Sequence, residues 1–180
     1  MKLLYSLFLK IGGWEIIGDY PHDVPKKIIV AGPHTSFFDF FVGISLRGVM
    51  GFDAKYIGKD SLFKPPFGWF MKLMGGIPVD RSKSNNFVEA SAEVFKSRES
   101  LTICIAPEGT RKKVEKFKTG FYYIAKLANI PILPVLFDYE NKQLLWQELI
   151  YPGEDPEQDI KKIEELFRGV KGKVEAYSFT

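Results

Sequence analysis

Short apolar runs rich in β-branched residues alternate along this chain with longer segments of helical period. The predicted strands cover residues 14–17, 28–31, 54–57, 77–79, 101–105, 132–137, 144–150 and 174–179. The predicted helices cover residues 36–46, 66–73, 87–96, 120–128 and 156–167. This alternation is typical of α/β proteins, so we predict a single α/β domain with a mixed, largely parallel central sheet flanked by helices.

The composition supports a self-sufficient core without covalent or metal cross-links. The chain has 180 residues, 46% of them hydrophobic, and a chain of this size buries enough surface to fold alone. Cys104 is the single cysteine and has no partner for an internal disulfide, which suits a reducing compartment. Two histidines and one cysteine leave little for a zinc site, so we expect no metal. No Walker A or dinucleotide-binding glycine motif is present, so we expect no bound cofactor either.

The N-terminal segment has an apolar stripe at helical spacing. The apolar residues that recur at this spacing are Leu3, Leu4, Leu7, Phe8 and Ile11, and the small-residue cleavage site of a signal peptide is missing. We therefore divide the chain into an amphipathic segment, residues 1–13, and a main domain, residues 14–180. The stripe fits either a membrane surface or the protein core. No apolar run reaches the ~18 residues of a spanning helix.

Residues 62–74 form a second apolar stretch, with Pro65 and Pro66 at its start and Lys64 and Lys72 beside large hydrophobic residues. Two interpretations are open here. The stretch either meets a lipid interface or is buried beneath the sheet.

Positive charge is concentrated in the middle of the chain. Residues 55–118 hold 13 basic and 7 acidic side chains, whereas residues 137–180 hold 6 basic and 10 acidic ones. The middle is therefore the expected anion-binding side. Nucleic acid is not an expected partner, because the net charge is only +3 and no nucleic-acid-binding motif is present.

The first chemical motif is Pro33-His-Thr-Ser-Phe-Phe-Asp39, where a predicted strand passes into a helix. His34 and Asp39 would lie about 140° apart on a regular helix, so they pair only if His34 lies in the preceding loop. Thr35 or Ser36 is then the expected N-cap. Asp39 would fix the imidazole tautomer and leave the other nitrogen as a base. The alternative is a capping box with a plain loop histidine.

The second motif, Ala106-Pro-Glu-Gly-Thr-Arg111, directly follows the strand predicted at 101–105. Ligands of α/β proteins bind at such strand ends. Gly109 allows close backbone approach, and Arg111 offers a planar fork for a phosphate. The same residues also fit an ordinary surface turn followed by solvated lysines.

Two further segments complete the pattern, and each also has an ordinary structural explanation. Residues 75–81 read Gly-Gly-Ile-Pro-Val-Asp-Arg, in which Arg81 can pair locally with Asp80 or converge on the same anion as Arg111. Residues 130–135 read Ile-Pro-Ile-Leu-Pro-Val, which fits either core packing or a lipid-facing wall.

Taken in order, these four segments resemble the glycerolipid acyltransferase family, which acylates glycerol 3-phosphate and lysophosphatidic acid. The resemblance spans about residues 30–136, and Phe117-Lys-Thr-Gly120 also looks like the family's linking segment. It implies an α/β enzyme with a hydrophobic acyl tunnel and direct transfer from acyl-CoA or acyl-acyl-carrier protein, without a covalent acyl-enzyme. His34 is then the general base and Asp39 the residue that orients it.

The resemblance also implies where the acceptor binds. It places Arg81 and the turn Glu108, Gly109, Thr110 and Arg111 at the acceptor and its phosphate, with Lys118, Gly76 and Pro131 in support. The implied product is phosphatidic acid from lysophosphatidic acid, made by a cytoplasmic protein held peripherally at the inner face of the cell membrane.

Two departures bear on acceptor choice and membrane attachment. Many family members have Asn before the histidine and Phe before Pro-Glu-Gly, where this chain has Pro33 and Ala106. Another acceptor, such as a lyso-ornithine lipid or a lyso-glycolipid, therefore stays open. So does a non-catalytic lipid-binding protein at the membrane surface, although the intact His34 and Asp39 pair argues against it.

Overall fold

A computed structural model describes residues 2–79 and 84–180 of the chain. Its central feature is a seven-stranded sheet in the order β1-β7-β6-β2-β5-β3-β4. The strands are β1 (Glu15–Ile17), β2 (Lys26–Gly32), β3 (Lys55–Lys59), β4 (Gly76–Val79), β5 (Leu101–Ile105), β6 (Ile132–Asp138) and β7 (Gln143–Trp146).

The helices connect these strands and cover both faces of the sheet. They are α1 (Lys2–Ile11), α2 (Phe38–Met50), α3 (Gly68–Leu73), α4 (Ser84–Lys96), α5 (Gly120–Ala128) and α6 (Pro156–Phe167), with short 3₁₀ helices at Asp60–Phe63 and Glu175–Tyr177. Strands β2 to β6 run parallel to one another, β7 is antiparallel to β6, and β1 is parallel to β7. The predicted α/β class and the mixed, largely parallel sheet are confirmed.

Alternate residues of the central strands feed two cores, one on each face of the sheet. Ile28 and Val30 face the core beneath α4, α5 and α6, whereas Ile29 faces the core beneath α1 and α2. This period of two is the pleat of a strand buried on both faces. The middle of β2 is consequently packed from both sides of the sheet.

The prediction of a strand at residues 174–179 is wrong. This segment contains the 3₁₀ helix Glu175–Tyr177, and its backbone groups bond to other partners. The N–H of Val174 donates to Thr35 Oγ1 at 3.1 Å, and the carbonyl of Phe179 accepts from Gly169 N at 3.2 Å. Phe179 is buried against Phe117 in the core. The apolar pattern at residues 174–179 therefore reflects the burial of Phe179 and not a strand.

Helix α1 leaves most of its apolar stripe exposed. Leu9 is the residue it buries, while Leu3, Leu4, Leu7 and Ile11 remain accessible. Burial of the whole stripe in the core, which was one of the two interpretations, is therefore wrong.

The stretch at residues 62–74 is divided between the interior and the surface. Phe63 and Met71 are buried, but exposed aromatic and aliphatic side chains predominate along α3 and its approach. These exposed residues are Phe67, Trp69, Phe70 and Leu73. Within residues 2–79 and 84–180, no helix is both long and apolar enough to cross a bilayer.

The segment after α6 crosses the loop that follows β2. Besides the bond from Val174 to Thr35, the carbonyl of Lys171 accepts from Tyr139 N at 2.8 Å. Gly172 approaches so closely that a Cβ there would lie 2.6 Å from both Oγ1 and Cγ2 of Thr35. The loop that carries His34 is thus held from outside by a segment far away in sequence.

The contact between Gly172 and Thr35 generates a prediction. Gly172→Ala should lower the free energy of unfolding by about 1–3 kcal/mol, the typical cost of overpacking, because the β-branched Thr35 has little freedom to move. Chemical denaturation measures this loss. Gly120→Ala is the matched control, since a Cβ at Gly120 meets open space. Equal free energies of unfolding of the two variants would contradict the close packing of Gly172 against Thr35.

Candidate active site

Three neighbouring strands deliver polar side chains to the same edge of the sheet. β2 lies between β6 and β5, and the three run in the same direction. His34 follows β2, Glu108 follows β5, and Tyr139 follows β6 directly. The carboxyl ends of parallel strands are where α/β proteins bind ligands. This edge is therefore the candidate active site.

Asp39 is the centre of the site. It lies in the first turn of α2, and its side chain is only 2% exposed. Its Oδ2 accepts the backbone N–H groups of Thr35 and Ser36, each at 2.8 Å, and lies 3.2 Å from His34 Nδ1. Its Oδ1 accepts the hydroxyl of Tyr139 at 2.6 Å. The carboxylate therefore ties together the loop, the helix and the end of β6.

These contacts determine the ionisation of Asp39. Burial by itself would raise the pKa of this carboxyl, but hydrogen bonds from His34, Tyr139 and Ser36 outweigh it and the pKa lies below its ordinary value. Hydrogen bonds to the charged form of an acid favour that form. Asp39 is consequently a buried carboxylate at neutral pH.

His34 lies in the loop before α2, as its pairing with Asp39 required. Its side chain is 32% exposed, so the imidazole is open to a substrate while Asp39 is not. A neutral imidazole with its Nδ1 hydrogen toward Asp39 keeps a lone pair on Nε2. In this arrangement Nε2 can accept a proton from a neighbouring hydroxyl.

The predicted capping of α2 needs correction. The N-cap position is Phe37, which makes no side-chain capping bond, and not Thr35 or Ser36. Ser36 Oγ still accepts from Phe38 N at 3.1 Å. The hydroxyl oxygen of Thr35 instead accepts the backbone N–H of Val174, which is 139 residues away and could not be identified from the local sequence.

Glu108 lies beneath the histidine loop, where it is buried. Its Oε1 accepts the backbone N–H of His34 at 2.9 Å, while Oε2 is buried with no partner among the described residues. Burial raises the pKa of Glu108, although the N–H of His34 partly opposes this. Glu108 therefore fixes the position of the His34 backbone.

The turn after Glu108 depends on Gly109. This residue has φ +64, and the aliphatic stem of Lys118 lies across it, with Cε 2.8 Å from where a Cβ would stand. The N–H of Lys118 donates to Pro107 O at 2.8 Å, which fixes the turn from the other side. Thr110 and Arg111 follow the turn and are exposed.

A cavity of about 210 Å³ opens beside the paired His34 and Asp39. It runs between α2 and the sheet, and its walls are mainly apolar. The lining residues are Ile29, Ala31, Gly32, Pro33, His34, Asp39, Phe40, Gly43, Ile44, Leu46, Arg47, Phe52, Ala54, Lys55, Tyr56, Cys104, Ala106, Val135, Phe137 and Trp146. Since an apolar cavity of about 150 Å³ holds benzene, this one has room for a stretch of hydrocarbon chain.

The remaining predicted site residues do not line this cavity. Among the described residues, Arg111, Thr110 and Lys118 lie outside its walls. Gly76 is the first residue of β4, and Pro131 directly precedes β6. Both therefore lie at the opposite edge of the sheet from His34. Arg81 lies outside the described residues.

Sequence reasoning missed two residues of the site. Tyr139 follows β6 immediately, so its place after a strand adjacent to β2 was the signal that could have identified it. Arg47 lies on α2 and lines the cavity, where its Nη1 donates to the carbonyls of Ala54 and Met74, each at 3.0 Å. Nothing in its sequence neighbourhood pointed to that position.

With this geometry in place, comparison with known proteins assigns the family. A family model described as "Acyltransferase" matches residues 18–138, a range that contains His34, Asp39 and Glu108. The chain belongs to this acyltransferase family, and the predicted resemblance is confirmed.

Two curated relatives match about three quarters of this chain. A 1-acyl-sn-glycerol-3-phosphate acyltransferase of Saccharomyces cerevisiae is 30% identical over 76% of this chain and 45% of its own length. A probable 1-acyl-sn-glycerol-3-phosphate acyltransferase of Mycoplasma pneumoniae is 34% identical over 73% of this chain and 52% of its own. The chain thus spans about half the length of these relatives.

A solved structure has the same fold. The crystal structure of the 1-acyl-sn-glycerophosphate (LPA) acyltransferase PlsC from Thermotoga maritima matches with a TM-score of 0.65. The match covers 92% of this chain and 74% of that one at 22% sequence identity. The likeness extends the comparison from sequence to the arrangement of the sheet and helices.

Proposed function

We propose that this protein transfers a fatty acyl group from a thioester to the free hydroxyl of lysophosphatidic acid, giving phosphatidic acid. The observation that carries the proposal is the pairing of His34 with buried Asp39 at an apolar cavity. The names of the relatives, 1-acyl-sn-glycerol-3-phosphate acyltransferases, support the choice of acceptor.

The proposed reaction is a direct transfer. The acceptor hydroxyl gives its proton to Nε2 of His34 as its oxygen attacks the thioester carbonyl, and Asp39 stabilises the imidazolium. The tetrahedral intermediate then collapses, the C–S bond breaks, and the departing thiolate takes the proton from His34. Base, acceptor and activated carbonyl complete the chemistry, so the proposal includes no metal and no cofactor.

The state of Cys104 agrees with a direct transfer. This thiol lines the cavity, but burial raises its pKa to about 12. Only a thiolate is an effective nucleophile, and this thiol stays protonated at neutral pH. Cys104 is therefore a wall residue and not an acyl carrier.

The acyl donor is proposed to be acyl-CoA or acyl-acyl-carrier protein, with its hydrocarbon chain in the cavity. Ile29, Leu46, Phe52 and Trp146 supply the apolar walls for it. Both carriers are anionic, which fits the exposed positive charge that follows Arg111.

The first experiment tests the general base. His34→Ala should lower kcat for acyl transfer at least ~100-fold, the lower end of what a positioned base contributes, while the variant remains folded under the assay conditions. His22→Ala is the matched control, because His22 is the chain's other histidine and is exposed. The release of free CoA thiol from acyl-CoA in the presence of lysophosphatidic acid measures kcat for both variants. Wild-type turnover by His34→Ala would overturn the proposed role, and a wild-type protein without turnover would favour lipid binding alone.

The second experiment tests the acceptor phosphate. Arg111 is proposed to bind it, so Arg111→Ala should raise KM for lysophosphatidic acid about tenfold or more with kcat less affected. Arg98→Ala is the control, since Arg98 is also exposed but lies just before β5, at the other edge of the sheet. The same assay is run with lyso-ornithine lipid and with a lyso-glycolipid as acceptors. Preference for an acceptor without phosphate, or an unchanged KM, would contradict this assignment.

We also propose that the active-site edge lies on a membrane, at its cytoplasmic face. Helix α1 presents Leu3, Leu4, Leu7 and Ile11, and Phe8 packs against Phe38 of α2 with ring centroids 5.9 Å apart. Phe37, Phe38 and Phe41 continue the exposed apolar surface across α2, next to His34. Such a surface, with Lys2 and Lys10 on the same helix, is typical of reversible attachment.

The attachment is tested with Leu7→Glu. Binding to vesicles of phosphatidylcholine mixed with phosphatidylglycerol should fall several-fold, because a charge replaces an apolar contact with lipid. Leu127→Glu is the matched control. Leu127 is 49% exposed where Leu7 is 50% exposed, and it lies on α5 over the opposite face of the sheet. Equal co-sedimentation of both variants would exclude α1 from the contact.

A further inference from the structure

We infer that Tyr139 is a positioning residue that completes a chain of contacts from Tyr139 through Asp39 to His34. The inference rests on the proposed function, in which His34 is the general base. It assigns Tyr139 the task of holding Asp39 in the orientation that pairs with the imidazole.

The geometry of Asp39 carries this inference. Oδ2 already has three partners, namely His34 Nδ1 and the N–H groups of Thr35 and Ser36. The hydroxyl of Tyr139 is the partner of Oδ1, at 2.6 Å. Without it, a buried carboxylate oxygen would lose a hydrogen bond to its charged form, and the orientation of the carboxylate would depend on the contacts of Oδ2 alone.

Tyr139 is itself held in place from several sides. Its ring packs edge-on against Trp14 with centroids 4.7 Å apart, and its backbone N–H donates to Lys171 O at 2.8 Å. Burial and the Asp39 carboxylate raise the pKa of its phenol, so the hydroxyl remains a donor throughout the range in which the enzyme can be assayed. The residue is thus a fixed donor aimed at one oxygen.

The charged groups around the pair define its pH behaviour. His34 and Glu108 face Asp39, while Lys142 and Lys173 lie 5.5 Å and 6.0 Å from the centroid of the Tyr139 ring. The pKa of Asp39 lies below its ordinary value. Its ionised form therefore stabilises the fold above the pKa it has when unfolded, and this stabilisation is lost as the pH falls through the folded pKa.

Tyr139→Phe is the test, because it keeps the ring against Trp14 and removes the hydroxyl alone. We expect kcat to fall about tenfold, the value of one charge-assisted hydrogen bond, with the KM values of donor and acceptor nearly unchanged. Since Asp39 loses a donor to its charged form, its pKa should rise. In the general-base mechanism the acid limb of the kcat profile reports protonation of His34, and a carboxylate that has lost the Tyr139 hydroxyl attracts the imidazolium more strongly. The acid limb should therefore move to higher pH.

The chain offers a matched control in Tyr122→Phe. Tyr122 also donates to a carboxylate, Asp159 Oδ2 at 2.8 Å, and the pKa of Asp159 is also lowered, first by the N–H of Gly153. Tyr122 belongs to the core on the opposite face of the sheet from α2. Both variants should lose stability at neutral pH and lose less in acid. Tyr139→Phe alone should change kcat and the pH profile.

The outcomes separate this inference from the proposed function. If His34→Ala is inactive while Tyr139→Phe keeps wild-type kcat and pH profile, the positioning role of Tyr139 is wrong and the general base stands. If His34→Ala retains wild-type turnover, the general-base role of His34 is wrong and the positioning role of Tyr139 falls with it; if the wild-type protein shows no turnover, the proposed function itself fails. Equal losses of kcat in the Tyr139→Phe and Tyr122→Phe variants would make the effect one of stability and would overturn the inference.

Discussion

The Asp39 carboxylate, almost completely withdrawn from solvent, is the interaction on which the rest of the site depends. A buried charge is tolerated only when it is paired and hydrogen-bonded. Here the partners come from the His34 loop, from the backbone at Thr35 and Ser36, and from Tyr139 at the end of β6. Each partner therefore helps to stabilise the charge, and the charge in turn fixes the imidazole.

The order of the strands explains why these partners meet. β2 carries His34 and lies between β6, which ends before Tyr139, and β5, which ends before Glu108. Glu108 holds the His34 backbone from below while Asp39 holds its ring. A cavity with mainly apolar walls and an exposed apolar helix surface lie beside this polar cluster. A polar cluster and an exposed apolar surface thus lie side by side at one edge of the sheet.

Local sequence patterns predicted much of the fold and the centre of the site. The bounds of α5, α6 and β5 agree with the predicted ones because each has a clear apolar pattern and clear end signals. The spacing of His34 and Asp39 allowed them to pair only if His34 preceded the helix, and it was the family resemblance that assigned them the roles of base and orienting residue; the structure places His34 before α2. Residues 174–179 failed as a strand because their backbone bonds to Thr35 and Gly169, which are distant in sequence.

By itself, the sequence determined the alternation of strands and helices, the spacing that lets His34 and Asp39 pair, and the family to which the chain belongs. Only the tertiary structure decided that Tyr139 bonds to Asp39, that Glu108 is buried under His34, and that the stripe of α1 stays exposed. The physical reason is the range of the interactions. Helix ends and turns depend on neighbours a few residues away, whereas Asp39 and Tyr139 are separated by 100 residues and meet only because β2 and β6 pair.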